Sequence, residues 1–228
     1  MNSSKAKPAK LCQNGLRQSL MLASFIKEHN LVLPENFPSK IQEFCKLLLE
    51  ANKTTNLVSK NDEPKLLTRH IADSLIFATP PVCFAGQWTD IGSGAGFPVI
   101  PLCLYFPQIK FYATETRKKR CDFLKLVKQN LNLMNLEVIQ GKAENCGLKN
   151  MDFVSCRAVG SLEDDFEKAK KILKKSGHFL TVKSKRLVDD MRTRNNKLLK
   201  RAKIMDYRLP GEDMEYIFLN FAIGELLL

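Results

Sequence analysis

The chain has 228 residues, of which 44% are hydrophobic, and its formal net charge at pH 7 is +12. This length is enough for one full α/β domain with an extension. The lysine-rich first residues lack the apolar stretch of a signal peptide, and no apolar run approaches the ~20 residues of a membrane helix. The composition therefore predicts a cytoplasmic protein rather than a membrane-spanning or secreted one.

The cysteines and histidines give no sign of a disulfide framework or a metal centre. There are seven cysteines, an odd number, with no C-x-x-C pair among them, and most fall within apolar segments. The three histidines are scattered along the chain. We expect reduced, mostly buried thiols and no metal site.

The positive charge is concentrated in one region. Residues 168–203 contain fourteen Lys and Arg residues against only Asp189 and Asp190, so this segment carries the whole excess of +12. Such clustering is typical of a protein that binds a polyanion such as RNA. From charge alone, two solvated helix faces in a lysine-rich chain explain it equally well.

The chain divides into three parts. Residues 1–10 are polar and predicted to be a disordered tail, 11–80 a helical N-terminal extension, and 81–228 an α/β domain. Within the extension, apolar spacing and an N-terminal helix signal predict three helices, over 16–26, 41–49 and 65–78.

From residue 87 onward, strand patterns alternate with helix patterns. This alternation predicts a parallel sheet with helices on both faces. The predicted strands cover 87–91, 109–114, 136–140, 152–156 and 178–183. The predicted helices cover 98–105, 118–131, 162–174 and 187–200. Two further strand-like runs, 202–209 and 215–223, are joined by a turn and predict an antiparallel hairpin at the edge of the sheet.

A glycine-rich turn separates the first predicted strand from its helix. Gly92, Gly94 and Gly96 stand in the run 90–98, DIGSGAGFP. Glycines at a strand-to-helix turn let a ligand approach the backbone, and the helix N-terminus offers free N–H groups, so we expect a nucleoside cofactor there. The dinucleotide fingerprint would need glycine where Phe97 stands, which disfavours a nicotinamide dehydrogenase.

Two acidic residues follow the next two predicted strands. Glu115 lies nineteen residues after Gly96, where an acidic residue is suited to accept hydrogen bonds from both ribose hydroxyls of an adenosyl cofactor. Glu144 and the backbone of residues 141–143 follow the third strand, where the adenine would lie. Taken alone, Glu144 is better explained as an exposed capping carboxylate.

The chain resembles a family at several motifs. These are Arg69-His70-x-x-Asp73-Ser74-Leu75, the turn at 90–98, Lys119 to Leu124, Arg157-Ala158 and Lys183. Together they are similar to the bacterial 16S ribosomal RNA guanine-N7 methyltransferases of the RsmG (GidB) family. The resemblance implies a class I S-adenosylmethionine-dependent fold, Rossmann-like with a seven-stranded, mostly parallel sheet.

What the resemblance implies about function is specific. The reaction would be S-adenosylmethionine-dependent methylation of guanine N7 in small-subunit (16S) ribosomal RNA near the decoding region. The partner would be that RNA or the assembling small subunit, and the protein would be a monomer. Cofactor contacts would fall on Gly92, Phe97, Ala143, Glu144 and Arg157.

Methyl transfer to N7 needs no catalytic base, because N7 already carries a free lone pair. The enzyme has to position two reactants, so the sequence assigns no catalytic residue. The alternatives are a small-molecule or protein methyltransferase, which the basic segment disfavours, and a non-catalytic RNA-binding assembly factor that retains the cofactor pocket.

Seven basic residues are candidates for RNA contacts. Arg69 and His70 would lie beside the cofactor mouth, although Arg69 and Asp73 at i,i+4 also suit a structural ion pair. The other candidates follow the second and fifth strands at the carboxyl edge of the sheet, where ligands bind: Arg117, Lys118, Lys119, Lys183 and Lys185. A basic cluster at a helix start is unfavourable, and a nearby RNA backbone would offset it.

Overall fold

In the computed structural model, which describes residues 8–79, 85–157 and 160–224 and side chains from residue 15 onward, seven strands form one sheet. The strands are β1 (Gln87–Ile91), β2 (Lys110–Glu115), β3 (Leu136–Gln140), β4 (Met151–Cys156), β5 (Leu173–Ser184), β6 (Lys203–Arg208) and β7 (Glu215–Ala222). Their spatial order is β3-β2-β1-β4-β5-β7-β6. Neighbours from β3 to β5 are parallel, whereas β7 runs antiparallel to β5 and β6. The predicted Rossmann-like sheet and its terminal hairpin are confirmed.

Seven α-helices accompany this sheet in the described part of the chain. They are α1 (Pro8–Glu28), α2 (Phe37–Thr55), α3 (Ala72–Leu75), α4 (Val99–Tyr105), α5 (Lys118–Asn130), α6 (Leu162–Lys170) and α7 (Lys185–Thr193). Consecutive strand residues point to opposite faces, and Phe153 and Val154 belong to different apolar clusters. One cluster includes side chains of α1 to α5, and the other includes side chains of α6 and α7.

The N-terminal helices share the core of the sheet domain. Phe44 of α2 is fully buried, with its ring centroid 5.3 Å from that of Phe97 and 6.5 Å from that of Phe123. Helix α1 begins at Pro8, so the last residues of the predicted disordered tail are helical, since proline is tolerated in a first turn. The rest of that prediction, residues 1–7, lies outside the described residues.

The third predicted helix, 65–78, is helical but irregular. A 3₁₀ turn (Glu63–Lys65) leads into a π-helical turn (Leu66–Ile71), then α3 and a second 3₁₀ turn (Ile76–Ala78). The N–H of Ala72 donates to the carbonyl of Leu67, five residues back, which is the π-type bond. This wider turn changes which residues share a face, and the i,i+4 ion pair between Arg69 and Asp73 is not formed.

Two predicted helices end earlier than expected. The prediction of helix over 162–174 is wrong at its end, because α6 stops at Lys170 and Leu173 already pairs with Met151 of β4 before a bulge. The helix predicted over 187–200 begins at Lys185 and ends at Thr193, where Asn195 adopts a left-handed φ of 56°.

Within the described residues, no helix is long and apolar enough to span a membrane. No group of three or more metal-ligating side chains occurs in that part either. Cys45, Cys103, Cys121, Cys146 and Cys156 are free thiols. Burial raises the pKa of Cys45 to about 12 and that of Cys156 further, so neither is an activated nucleophile.

Candidate active site

The turn between β1 and α4 depends on glycine at three positions. Gly92, Gly94 and Gly96 have φ values of 69°, 53° and 93°, in the left-handed region that side chains disfavour. A Cβ on Gly96 would lie 2.7 Å from Cγ1 of Ile100, which is too close. The third glycine therefore serves the packing of α4, and the first two leave the backbone open to a ligand.

A cavity of about 650 Å³ lies over this turn, at the carboxyl ends of β1 to β4. Seven of the eight predicted cofactor residues line it: Gly92, Gly94, Phe97, Glu115, Ala143, Glu144 and Arg157. Gly96 lies behind the wall. The volume falls within the ~300–1,000 Å³ of typical ligand pockets. Residues separated by more than sixty positions in sequence are thus brought to one site.

Glu115 is the buried carboxylate of this cavity. Its side chain is only 6% exposed, and its oxygens accept hydrogen bonds from the N–H groups of Gly94 at 3.1 Å and Arg117 at 2.9 Å. The guanidinium of Arg120 lies 3.7 Å away. The Thr116 hydroxyl also donates to Oε1 of Glu115, at 3.3 Å. Of the about four lone-pair sites of a carboxylate, at least one therefore remains to accept from a ribose hydroxyl. This remaining acceptor site on a buried carboxylate fits the ribose of an adenosyl group.

A loop from the N-terminal extension forms the opposite wall of the cavity. Leu57 and Val58 line it, and both of their N–H groups donate to Oδ1 of Asn52, at 2.6 and 3.0 Å. Asn52 also donates to the carbonyl of Val58 and to Glu63. The helical extension therefore completes the site, and sequence analysis did not detect this role of Asn52.

Arg157 is held by residues from three other elements. Its Nη1 donates to Oδ2 of Asp73 at 2.8 Å, its Nη2 is 2.8 Å from Nδ1 of His70, and its Cζ lies 5.3 Å from the centroid of the Phe97 ring. The hydroxyl of Tyr207, on β6, donates to the other oxygen of Asp73. Both oxygens of this carboxylate therefore accept hydrogen bonds, and the terminal hairpin is connected through Asp73 to Arg157 in the lining of this cavity.

His70 lies in this network as a neutral ring. It stacks on Phe97 with ring centroids 4.9 Å apart and planes at 19°. Since Arg157 donates to Nδ1, the hydrogen-bond network assigns the ring proton to Nε2. Burial and the charge of Arg157 lower the pKa of His70 to about 3.

Asp90 is a second buried group that sequence analysis did not select. Ser155 donates to its Oδ1 at 2.7 Å, and Trp88 in turn donates to Ser155 at 3.0 Å. Its Oδ2 is buried without a hydrogen-bond partner among the described residues. Burial raises the pKa of Asp90 to about 7. An aspartate within a strand that is predicted to be buried was the signal available in the sequence.

These two groups make opposite contributions to the pH dependence of stability. The pKa of His70 is lower in the folded protein than in the unfolded chain, so its contribution to the free energy of unfolding is lost as the pH falls from about 6.5 toward 3. The pKa of Asp90 is higher in the folded protein, so its contribution to the free energy of unfolding is lost as the pH rises from about 4 toward 7. We expect the free energy of unfolding to change little between pH 5 and 7. In Asp90→Asn only the pH dependence due to His70 remains. This variant should therefore be destabilised, relative to the wild type, by about 2 kcal/mol more at pH 5 than at pH 7. Urea unfolding at the two pH values measures this; equal destabilisation would contradict it.

The sequence and fold comparisons agree with this geometry. The GidB family model, described as rRNA small subunit methyltransferase G, matches residues 38–211. A protein named Ribosomal RNA small subunit methyltransferase G from Alkaliphilus metalliredigens is 30% identical over 187 residues, 79% of this chain and 78% of that protein. Its namesake from Staphylococcus aureus strain JH9 is 35% identical over 174 residues, 72% and 70% of the two chains. The chain belongs to this family.

Solved structures support the fold of this family member. A SAM-dependent methyltransferase from Aquifex aeolicus superposes with a TM-score of 0.54 at 14% identity, covering 77% of this chain and 98% of that one. Precorrin-6y C5,15-methyltransferase from Geobacter metallireducens gives 0.51 at 15% identity, covering 74% and 92%. At such low identity the likeness shows the class I methyltransferase fold alone.

The predicted RNA contacts of this methyltransferase differ in their surroundings. Arg117, Lys118 and Lys119 are exposed at the start of α5 beside the cofactor cavity. Lys185 is partly exposed and pairs with Glu215 at 2.5 Å. Lys183, in contrast, is 8% exposed, lies 3.5 Å from Asp165 and donates to the carbonyl of Gly160. Lys183 therefore serves a buried ion pair.

Arg69 and His70 also contact protein groups. Arg69 lies 3.1 Å from Glu212 and 3.4 Å from Asp62, and the side chain of His70 is 11% exposed. Acids from other segments likewise neutralise part of the 168–203 charge, as in the pair of Lys174 with Asp152. Sequence analysis could not see these partners, because they come from other elements.

Proposed function

We propose that this protein transfers the methyl group of S-adenosylmethionine to N7 of a guanine in small-subunit ribosomal RNA, near the decoding region. The proposal includes a monomer that works in the cytoplasm on this RNA or on the assembling subunit. The observation that carries it is the family match over residues 38–211, which spans the glycine turn, Glu115 and Arg157.

In this proposal the cofactor supplies an activated methyl group on a sulfonium. Glu115 would hold the ribose hydroxyls, Ala143 and Glu144 the adenine side, and the turn at Gly92 with Phe97 and Arg157 the amino-acid end. The residues of the chain orient the two reactants and exclude water, and no proton has to leave N7. The neutral His70 adds no positive charge where a cation is to form.

The decisive experiment is deletion of the gene followed by mapping of N7-methylguanine in small-subunit RNA. We expect one methylated guanine to disappear and to return when the purified protein and S-adenosylmethionine are added to subunits from the deletion strain. An unchanged map would refute the ribosomal target. Calorimetry without any S-adenosylmethionine binding would instead favour the assembly factor.

The exposed cluster Arg117 to Lys119 is proposed to line the RNA path. The double change Lys118→Glu and Lys119→Glu should weaken RNA binding about tenfold and reduce the salt slope of log K by about 2, because two phosphate contacts are lost. Cofactor affinity should not change. Filter binding of small-subunit RNA over a salt series measures the effect.

A matched control reverses two charges at the opposite edge of the sheet. Lys149 and Lys175 are exposed beside the amino ends of β4 and β5, away from the cavity. Lys149→Glu with Lys175→Glu should leave RNA affinity within about twofold. Equal losses in both double variants would mean that net charge, rather than this surface, controls binding.

A further inference from the structure

A second cavity adjoins the cofactor cavity. It has a volume of about 530 Å³ and lies at the carboxyl ends of β4 and β5, and it shares Asp62, His70 and Arg157 with the first cavity. Glu115 and Glu144 follow β2 and β3, on the far side of the first cavity. An adenosyl group held by those two residues would place the sulfonium end of the cofactor toward the shared wall.

Beside its charged residues, the second cavity has an apolar part. Its lining includes Val182, Leu187, Leu209 and Tyr216. Leu187, on the first turn of α7, is 45% exposed, so part of its side chain is available to contact a guest. Apolar and aromatic side chains of this kind pack well against an unstacked nucleobase. Proteins bind the bases of single-stranded RNA, or bases flipped out of a duplex, through such contacts.

Each of the three cations that line this cavity already has an acidic partner. Arg157 pairs with Asp73 at 2.8 Å, Lys183 with Asp165 at 3.5 Å and Arg69 with Glu212 at 3.1 Å. Arg69 and Lys183, which line only this second cavity, are therefore already neutralised, and a phosphate guest would gain little from them. The cavity instead suits a neutral guest, or one that becomes positively charged.

Asp62 is the carboxylate of this wall that retains capacity to accept. Ser59 donates to its Oδ2 at 2.7 Å, but Nε of Arg69 is 3.4 Å from its Oδ1 and Nε2 of His70 is 3.9 Å from its Oδ2, beyond normal hydrogen bonding. Burial opposes ionisation, but the Ser59 hydrogen bond and the charge of Arg69 outweigh it and lower the pKa of Asp62. Its side chain is 23% exposed and therefore reachable.

We propose that the second cavity receives the target guanine and that Asp62 accepts hydrogen bonds from its N1–H and 2-amino groups. This assignment rests on the proposed function. Adenine has an acceptor at N1 and no 2-amino group, so the same carboxylate would reject it. Asp62 thereby determines which purine is methylated.

The same contact favours the reaction. The N7 lone pair forms the new N–C bond while the S–C bond breaks, its electron pair stays on sulfur as a thioether, and the positive charge passes to the purine. Guanine N–H groups become stronger donors as that charge develops, so a carboxylate on them binds the transition state more tightly than the ground state.

The test compares Asp62→Asn with Glu35→Gln, a matched amide substitution at an exposed loop position. With small subunits from a deletion strain, Asp62→Asn should lower kcat/KM about 10- to 100-fold, because the NH₂ group of the amide would face the N–H donors of guanine. S-Adenosylmethionine affinity by calorimetry should stay within twofold, and Asp62→Glu should recover part of the rate. Glu35→Gln should match the wild type.

A binding measurement keeps the proposal testable apart from turnover. With S-adenosylhomocysteine bound, 7-methylguanosine titrated by NMR should shift signals of Leu187 and Tyr216 in the wild type and bind at least fivefold more weakly to Asp62→Asn. Adenosine should cause no such shifts. Unchanged kcat/KM in Asp62→Asn, or equal 7-methylguanosine binding, would overturn the role of Asp62 while the proposed function stands. Absence of N7 methylation by the wild type would instead refute the proposed function.

Discussion

Replacing Glu115 by glutamine is expected to weaken S-adenosylmethionine binding about 100-fold, or about 2.7 kcal/mol. The carboxylate is buried and already accepts from the N–H groups of Gly94 and Arg117, so an amide would turn its NH₂ group toward a donor on one side. A ribose diol would lose one charge-assisted hydrogen bond, each worth roughly 1.5–3 kcal/mol. Calorimetry of cofactor binding measures the change.

The control for this substitution is Glu137→Gln. Glu137 lies on the neighbouring strand, paired with Tyr112 of β2, and its side chain is 51% exposed. Cofactor affinity should stay within twofold in this variant. If Glu115→Gln also bound the cofactor within twofold of wild type, Glu115 would not be the ribose ligand, and the glycine turn would have to hold the cofactor through backbone groups alone.

Asp73→Asn is expected to lower the free energy of unfolding by about 3–5 kcal/mol, the cost of leaving a buried charge without its partner. Asp73 and Arg157 are both largely buried, with side chains 10% and 16% exposed. The substitution leaves the guanidinium uncompensated and places an amide near the Tyr207 hydroxyl. Urea unfolding at pH 7 measures the loss.

Two comparisons distinguish a buried ion pair from a general effect of removing an acid. Asp189→Asn removes the partner of Arg192 from an exposed pair, with side chains 51% and 46% exposed, and should cost less than about 1 kcal/mol. The double change Asp73→Asn with Arg157→Met should recover part of the stability, because no uncompensated charge remains. A double variant as unstable as the sum of its single changes would contradict this explanation.

The glycine turn and Glu115 could be predicted because their geometry is set by local chain order. A strand, a turn and a helix are consecutive, and the carboxyl end of the next parallel strand lies beside them. The partners of Arg157 could not be predicted in this way. Asp73 and His70 are 84 and 87 residues away, and whether they reach Arg157 depends on how the π-helical turn and α3 pack.

Which charged side chains are buried could not be predicted from the sequence either. Lys183 was predicted to be an exposed cation just past a strand, but it lies within β5 and forms a buried ion pair with Asp165 of α6. The π-helical turn at Leu66–Ile71 likewise has no periodic signal, and it removes the expected pairing of Arg69 with Asp73. Sequence spacing therefore identified most of the residues that line the first cavity, but it could not identify which basic side chains pair with acids from other elements.

The position of β7 between β5 and β6 affects when the protein can become active during its synthesis. Strand β7 comprises residues 215–222, so it is synthesised after every other strand of the sheet, although it lies between two of them. Until then β5 has an unpaired edge, and Tyr207 has no sheet to hold it against Asp73. Nascent chains stalled before residue 215 should therefore bind no cofactor, and completion of the enzyme would be coupled to its translation.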